Sequence, residues 1–266
     1  MSTDFSGISA RYEHDSLIQK SAAEKLFGLL AINKADDVLD LGCGTGNLTR
    51  KLRGMTEGRV VGVDPSEGMI REAASQAGND ISHMVIGAED LAFDDEFDVI
   101  LCNSAFQWFG KPQKALANCC NALRKGGRMG IQAPARMNYC PNFISAIEAV
   151  ACATGTKEIF AGFRPPWFFL ETADEYGAIF KEAGFSVPFA RIEELTTLHS
   201  AAEVMTIFES GAAAGYLNQE FYEIRLDAAY CDEFRRIVKD TFTGQGAENG
   251  KVELLFNRIY LVAVKG

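Results

Sequence analysis

Ten residues constrain the fold of this chain more than any others: Val38-Leu39-Asp40-Leu41-Gly42-Cys43-Gly44-Thr45-Gly46-Asn47. The first four read as a short buried strand, the alternating glycines as a tight turn, and residues 47–53 as a helix with Gly54 near its end. Glycine lets the main chain turn sharply and approach a ligand closely, and N–H groups at a helix start favour an anionic group there. The spacing is Gly-x-Gly-x-Gly. A dinucleotide fingerprint, Gly-x-Gly-x-x-Gly, would put its last glycine where this chain has Asn47. Taken alone, such a turn is equally well a plain structural one.

The strand–turn–helix unit recurs. Residues 59–64 form a second apolar strand ending in Asp64, and Pro65 and Ser66 open another helix, as Pro and Ser do. Strands follow at 81–86 and 97–103, then a helix at 111–123, a Lys125-Gly126-Gly127 turn and a fifth strand at 128–132. A helix at 16–31, capped by Ser16, precedes them all, with Ile18, Ala22, Leu26 and Leu29 on one face. Apolar strands alternating with amphipathic helices predict right-handed crossovers and a mainly parallel, doubly wound α/β sheet.

Beyond Ala133 the pattern loosens. A helix is predicted at 141–153, and Thr172-x-x-Glu175 and Ser200-x-x-Glu203 are capping boxes. A sixth strand is predicted at 185–192, where Pro188 needs a position that tolerates its missing N–H. Further helix is predicted from 219 to 242, and residues 251–264 alternate into a last strand. The helical stretches after strands five and six would emerge near the carboxyl ends of the strands, where such sheets bind ligands, and read as a lid. Three segments result: a ligand-binding core at 1–135, a helical acceptor region including strand six at 136–250, and a final strand at 251–266 that returns to the core.

Of the 266 residues, 26 are Lys or Arg and 36 are Asp or Glu, a formal charge of −10. That balance repels phosphate backbones and argues against a nucleic-acid partner, and the Arg124, Lys125, Arg128 cluster is too small to reverse it. No apolar run approaches the roughly 20 residues that span a bilayer, and residues 1–10 lack the apolar core of a secretory signal. Seven cysteines form no Cys-x-x-Cys pair, and His14, His83 and His199 are scattered. They read as mostly buried thiols of a cytoplasmic protein, with no metal site.

Asp64, at the end of the second strand, can accept two hydrogen bonds from adjacent ribose hydroxyls, and its charge disfavours a 2′-phosphate there. With this acid in place, the chain resembles the class I S-adenosylmethionine-dependent methyltransferases. Asp40 to Gly46 resembles their first motif, Gly62-Val63-Asp64-Pro65-Ser66-x-x-Met69 their second, Ala88-Glu89-Asp90-Leu91-x-Phe93 their third, and Leu123 to Gly127 the turn before strand five. The resemblance implies a seven-stranded, Rossmann-like methyltransferase fold whose last strand is antiparallel, with S-adenosyl-L-methionine as cofactor. By position it assigns Asp40, Gly42, Cys43, Gly44 and Gly46 to the methionine portion and Asp64 to the ribose. Pro65, Ser66 and Met69 fall beside the adenine, and Asn103 where cofactor and acceptor meet. Many relatives carry an Asp where this chain has Gly87; the main chain at Ala88 or the carboxylate of Glu89 is the expected substitute.

Asn103-Ser104-Ala105-Phe106-Gln107-Trp108 follows strand four, and its Gln107-Trp108 pair resembles the trans-aconitate, malonyl-carrier-protein and juvenile hormone acid O-methyltransferases. Phe5, Tyr12 and Leu17-x-Gln19 resemble the helix that closes over the cofactor in that group. The resemblance implies that Gln19 and Trp108 grip an acceptor carboxylate and that Tyr12 meets the cofactor. A carboxylate is already a nucleophile at neutral pH and needs no base. Each residue has a plainer reading: Gln19 completes a capping box with Ser16, while Trp108 and Tyr12 pack a core. Phe163, Trp167, Phe168 and Phe169 read as lid core, and Glu193-Glu194 and Arg235-Arg236 as solvated surface. The expected activity is methylation of a small molecule by a monomer or homodimer. Its rivals are transfer to nitrogen, carbon or arsenic, or a protein that binds the cofactor without turnover.

Overall fold

The computed structural model describes residues 17–247 and 250–266, with side chains from residue 22 onward. Ser16, Tyr12, Phe5 and the side chain of Gln19 lie outside the described residues. The strands are β1 (Val38–Leu41), β2 (Val60–Asp64), β3 (Ile81–Val85), β4 (Phe97–Asn103), β5 (Leu123–Pro134), β6 (Phe185–Ser200) and β7 (Lys251–Lys265). The helices are α1 (Leu17–Leu30), α2 (Asn47–Arg53), α3 (Glu67–Gln76), α4 (Pro112–Ala122), α5 (Pro141–Cys152), α6 (Lys157–Phe160), α7 (Ala173–Glu182), α8 (Ala201–Glu209), α9 (Ala213–Tyr216) and α10 (Ala228–Gly244).

The seven strands form one sheet in the order β3-β2-β1-β4-β5-β7-β6. β1 to β5 pair in parallel, and β7 runs antiparallel to β5 from Arg128↔Val264 to Pro134↔Arg258. The strand order reverses between β1 and β4, and such a switch point opens a crevice at the carboxyl ends of those strands. β1 and β2 are buried at every residue, as the apolar runs require of strands covered on both faces.

Contacts divide the chain into two units: 1–137 with 167–193 and 258–266, and 138–166 with 194–257. In the first, α1 buries Ala22, Ala23, Leu26, Phe27 and Leu30. Its approach to β5 depends on Gly130, where a Cβ would meet Leu30 Cγ at 2.8 Å and Leu26 Cδ1 at 3.0 Å. Arg128 donates to the Leu30 and Ala31 carbonyls that end α1 and pairs with Asp36 at 2.6 Å. Arg124 bridges Asp37 at 2.7 Å and Asp98 at 2.6 Å, so the basic cluster is largely neutralised within the fold. The second unit centres on Phe143, which packs against Phe208, Phe242 and Phe256 at 5.1, 5.6 and 5.5 Å.

Several boundaries move. β5 starts at Leu123 because its pairing jumps from Phe97↔Leu123 to Val99↔Arg128, the Lys125-Gly126-Gly127 turn becoming an excursion within the strand. β6 continues to Ser200 instead of stopping at 192. The charged Glu193-Glu194 pair hides that continuation, although Glu193 is ion-paired to Lys25. The chain divides within β6, so residues 185–193 go with the first unit rather than with the inserted helices. The reason is packing: Tyr176 and Phe180 of α7 and Phe185 of β6 join the same core as Phe106 and Ile131. The long helix begins at Ala228, where Asp227 caps it by accepting from the Tyr230 N–H at 2.8 Å, and not at 219.

Candidate functional site

All described candidate residues lie in the first unit, at or just after the carboxyl ends of β1, β2, β3 and β4. Gly42, Gly44 and Gly46 all adopt left-handed backbone, with φ of 75°, 53° and 77°. Gly42 is also sterically obliged, because a Cβ there would sit 2.3 Å from the Ala105 Cβ. At Gly44 nothing lies within 4 Å of a built Cβ, so the loop faces open space at its centre. The Gly42 and Cys43 N–H groups donate to the Val63 carbonyl at 2.8 and 3.0 Å, pinning the loop to β2.

Two acids flank this loop. Asp40 is 2% exposed, and its Oδ2 accepts from Thr49 Oγ1 at 2.6 Å. Burial lifts its carboxyl to about 7; the Thr49 bond opposes the rise and the charge of Asp64 adds to it. Asp64 is 8% exposed and accepts from the Ser66 N–H at 2.9 Å through Oδ1 and from the Gly44 N–H at 3.1 Å through Oδ2. It therefore ties β2 to the glycine turn. Burial raises its carboxyl as well. Each of its oxygens keeps a further lone pair.

Ser66 caps α3, accepting from the Met69 N–H at 3.4 Å, and Met69 is buried on that helix. Beside Pro65, a side chain at Gly87 would enter a space where Glu89 Oε2 and Asp90 Oδ2 already stand 3.8 and 3.9 Å from its Cβ. Glu89 is held there by the Lys111 N–H, 3.1 Å from its Oε1. Ala88 is buried.

After β4, Ser104 takes left-handed backbone, with φ 57°. Gln107, 7% exposed, donates from Nε2 to the Ser104 carbonyl at 2.9 Å. Trp108 is half-buried and meets Trp167 edge-on at 5.6 Å, and Trp167 stacks on Phe169 at 6.4 Å. The Phe168 N–H donates to the Gln107 carbonyl at 2.8 Å, and its ring packs on Phe106 at 6.0 Å. The aromatic set therefore separates. Trp167, Phe168 and Phe169 dress the loop after β4, whereas Phe163 packs with Phe160, Tyr216 and Tyr222 in the second unit. All four look alike along the chain because neighbours in sequence share composition, not partners.

Two buried polar residues near this loop escape a reading of the sequence: Gln132, at the end of β5, and Arg258, on its β7 partner. A glutamine closing an otherwise apolar strand was the available signal. Cys102 and Cys119 are fully enclosed, and burial pushes their thiols up, so neither presents a thiolate. Among the described residues, no group of three or more His, Cys, Asp or Glu could hold a metal, and no helix is long and apolar enough to cross a membrane.

Residues 38–127 match the family model described as a methyltransferase domain. The trans-aconitate 2-methyltransferase of Variovorax paradoxus is 28% identical over 96% of this chain and 95% of its own length. The malonyl-[acyl-carrier protein] O-methyltransferase of Priestia megaterium is 29% identical over 47% of each chain, so the match spans about half of that relative. Among solved structures, the YcgJ protein of Bacillus subtilis superposes with a TM-score of 0.61 at 17% identity, covering 92% of this chain and 98% of that one.

Proposed function

The chain belongs to the S-adenosylmethionine-dependent methyltransferases, and from that premise we propose that it methylates a carboxylate oxygen of a small acid. The observation that carries this reading is the near end-to-end likeness to a relative named for trans-aconitate, joined by the malonyl-carrier relatives; both names specify acids.

The residues fit the cofactor. Gly44 leaves open space where a side chain would block a close approach. Asp64 retains lone pairs for a pair of ribose hydroxyls, and the buried, electrostatically unsatisfied Asp40 suits the ammonium of an amino-acid tail. Glu89, with Oε2 facing the space beside Gly87, suits an exocyclic adenine amine. Bound there, the cofactor supplies a methyl group on a sulfonium, a leaving group that needs no proton.

What remains for the chain is orientation. A carboxylate with an ordinary pKa of about 4 is ionised at neutral pH, so no residue has to remove a proton. Gln19 and Trp108 offer an amide and an indole N–H, neutral donors that aim an oxygen while leaving its charge available. Alignment alone can contribute up to roughly 7–11 kcal/mol. The loop after β4 suits this task, since its side chains are amides, hydroxyls and aromatic rings.

The test is turnover of methyl-labelled cofactor over a panel of di- and tricarboxylic acids, including trans-aconitate, beside matched amines. Carboxyl transfer predicts a labelled product that releases methanol in mild alkali, as methyl esters do. Alkali-stable label, or turnover of amines alone, refutes it.

A further inference from the structure

A polar chain crosses the ends of β7, β5 and β4. Arg258, 4% exposed, donates from Nη1 to Gln132 Oε1 at 2.7 Å, and the Ala133 N–H donates to the same oxygen at 3.2 Å. Both neighbours are donors only, so they dictate which end of the fully buried Gln132 amide faces them. Its Nε2 is thereby turned the other way and donates to Asn103 Oδ1 at 2.9 Å and to Ser104 Oγ at 3.1 Å. The Ser104 N–H closes the arrangement on the Gln132 carbonyl at 2.6 Å.

This order propagates one residue further. With Oδ1 of Asn103 occupied by a donor, its Nδ2 is left as a donor with no hydrogen-bond partner among the described residues. Asn103 is half-buried at the carboxyl end of β4. Next to it, Ser104 adopts the left-handed backbone and Ala105 closes on Gly42, so the group stands beside the glycine turn. An amide free to rotate would present either end to a ligand; this one is fixed as a donor, by a guanidinium that reaches it through the Gln132 amide.

We propose that Arg258 and Gln132 are positioning residues that hold Asn103 Nδ2 as a donor to a carboxylate oxygen, either that of the methyl acceptor or that of the cofactor's amino-acid tail. The proposal rests on the methyl-transfer reading above and adds a donor to it that lies on the sheet itself. It also explains why a buried cation is kept at this strand end. A neutral residue at position 258 would leave only the longer Ala133 N–H bond to orient the Gln132 amide, and the flipped arrangement, in which Asn103 turns an oxygen toward the anion, would become more populated.

Gln132→Glu separates this role from a structural one. The introduced carboxylate would still accept from Arg258 and the Ala133 N–H, as a charge pair, so the fold keeps its contacts. It cannot donate to Asn103, whose amide must then turn its Nδ2 inward and its Oδ1 toward the ligand. Asn103→Asp gives the same outward oxygen without touching the buried pair and serves where Gln132→Glu fails to fold. Calorimetry with S-adenosylhomocysteine and with its decarboxylated analogue reads the tail arm, and KM and kcat for whichever panel acid turns over read the acceptor arm. A tenfold or greater loss of S-adenosylhomocysteine affinity, with the decarboxylated analogue unaffected, supports the tail carboxylate. Unchanged affinity with a tenfold rise in acceptor KM supports the acceptor carboxylate. Variants that match wild type in both arms overturn the proposal. Should no acid turn over, the carboxylate-acceptor reading falls by itself, and unchanged S-adenosylhomocysteine affinity then overturns this inference separately.

Discussion

Asp40→Asn should make the ligand-free protein more stable, by an amount that grows with pH. In the wild type the buried carboxyl of Asp40 is held at about 7 against an ordinary 3.8, chiefly by burial. Between those values the unfolded chain has released the proton and the folded chain keeps it. The fold therefore loses nothing to this group below about pH 3.8, loses steadily as pH rises, and reaches its full loss above about 7. At about 1.4 kcal/mol per pKa unit, the rise is worth roughly 4 kcal/mol at pH 8 and between 1 and 2 kcal/mol, roughly, at pH 5. Asparagine keeps the shape and the oxygen that accepts from Thr49, and never ionises. Titrating groups remote from Asp40 cancel in the difference between variant and wild type, whereas Asp64, whose charge adds to the rise at Asp40, is relieved by the substitution as well. The assay is urea unfolding followed by tryptophan fluorescence; both tryptophans of the chain, Trp108 and Trp167, belong to the first unit, which contains Asp40. A stability gain that is flat from pH 5 to 8, or a loss at pH 8, refutes the argument. The same variant should bind S-adenosylhomocysteine more weakly at pH 8, because the charge that strains the empty fold is the one offered to an ammonium.

Two glycines of one turn should respond differently to alanine. Gly42→Ala meets Ala105 at 2.3 Å as well as a φ of 75°, and should lower stability by more than about 2 kcal/mol in urea titrations. Gly44→Ala meets only its φ of 53°, and should cost about 1–2 kcal/mol while raising the S-adenosylhomocysteine Kd at least tenfold by filling the open face of the turn. Gln19→Ala and Trp108→Ala should raise acceptor KM or lower kcat with the S-adenosylhomocysteine Kd nearly unchanged; kinetics identical to wild type with every accepted acid would remove these two residues from the acceptor site.

The core of the sheet was legible because its signals are local. Val38 to Leu41 and Val60 to Asp64 are apolar runs that end in turn chemistry, and buried parallel strands require that pattern. Ser66, Thr172 and Ser200 all cap the helices their spacing announces. The misplaced boundaries are those decided by distant partners. β6 runs through Glu193-Glu194, where Glu193 is paired with Lys25 from 168 residues away, a partner that no window along the chain reports. Trp167, Phe168 and Phe169 leave the aromatic cluster in which their place along the chain puts them, because the Gln107 carbonyl and the Phe106 ring receive them.

The candidate site divides along the same line. Glycines at three alternate positions, each with left-handed φ, and Asp64, which accepts from two backbone N–H groups, are residue types the backbone itself demands, so their identity survives in the sequence without knowledge of packing. Gln132 and Arg258 carry no such mark, since an amide or a guanidinium at a strand end serves many purposes, and Asn103 is marked only by its position after the fourth strand, not by what its amide does. What specifies them is the direction of a hydrogen bond, and direction is a property of the assembled neighbours: Arg258 decides how Gln132 lies, and Gln132 decides how Asn103 lies. A turn that binds a common cofactor can be written in ten consecutive residues. Which end of the Asn103 amide faces outward is instead decided by residues scattered from β4 to β7.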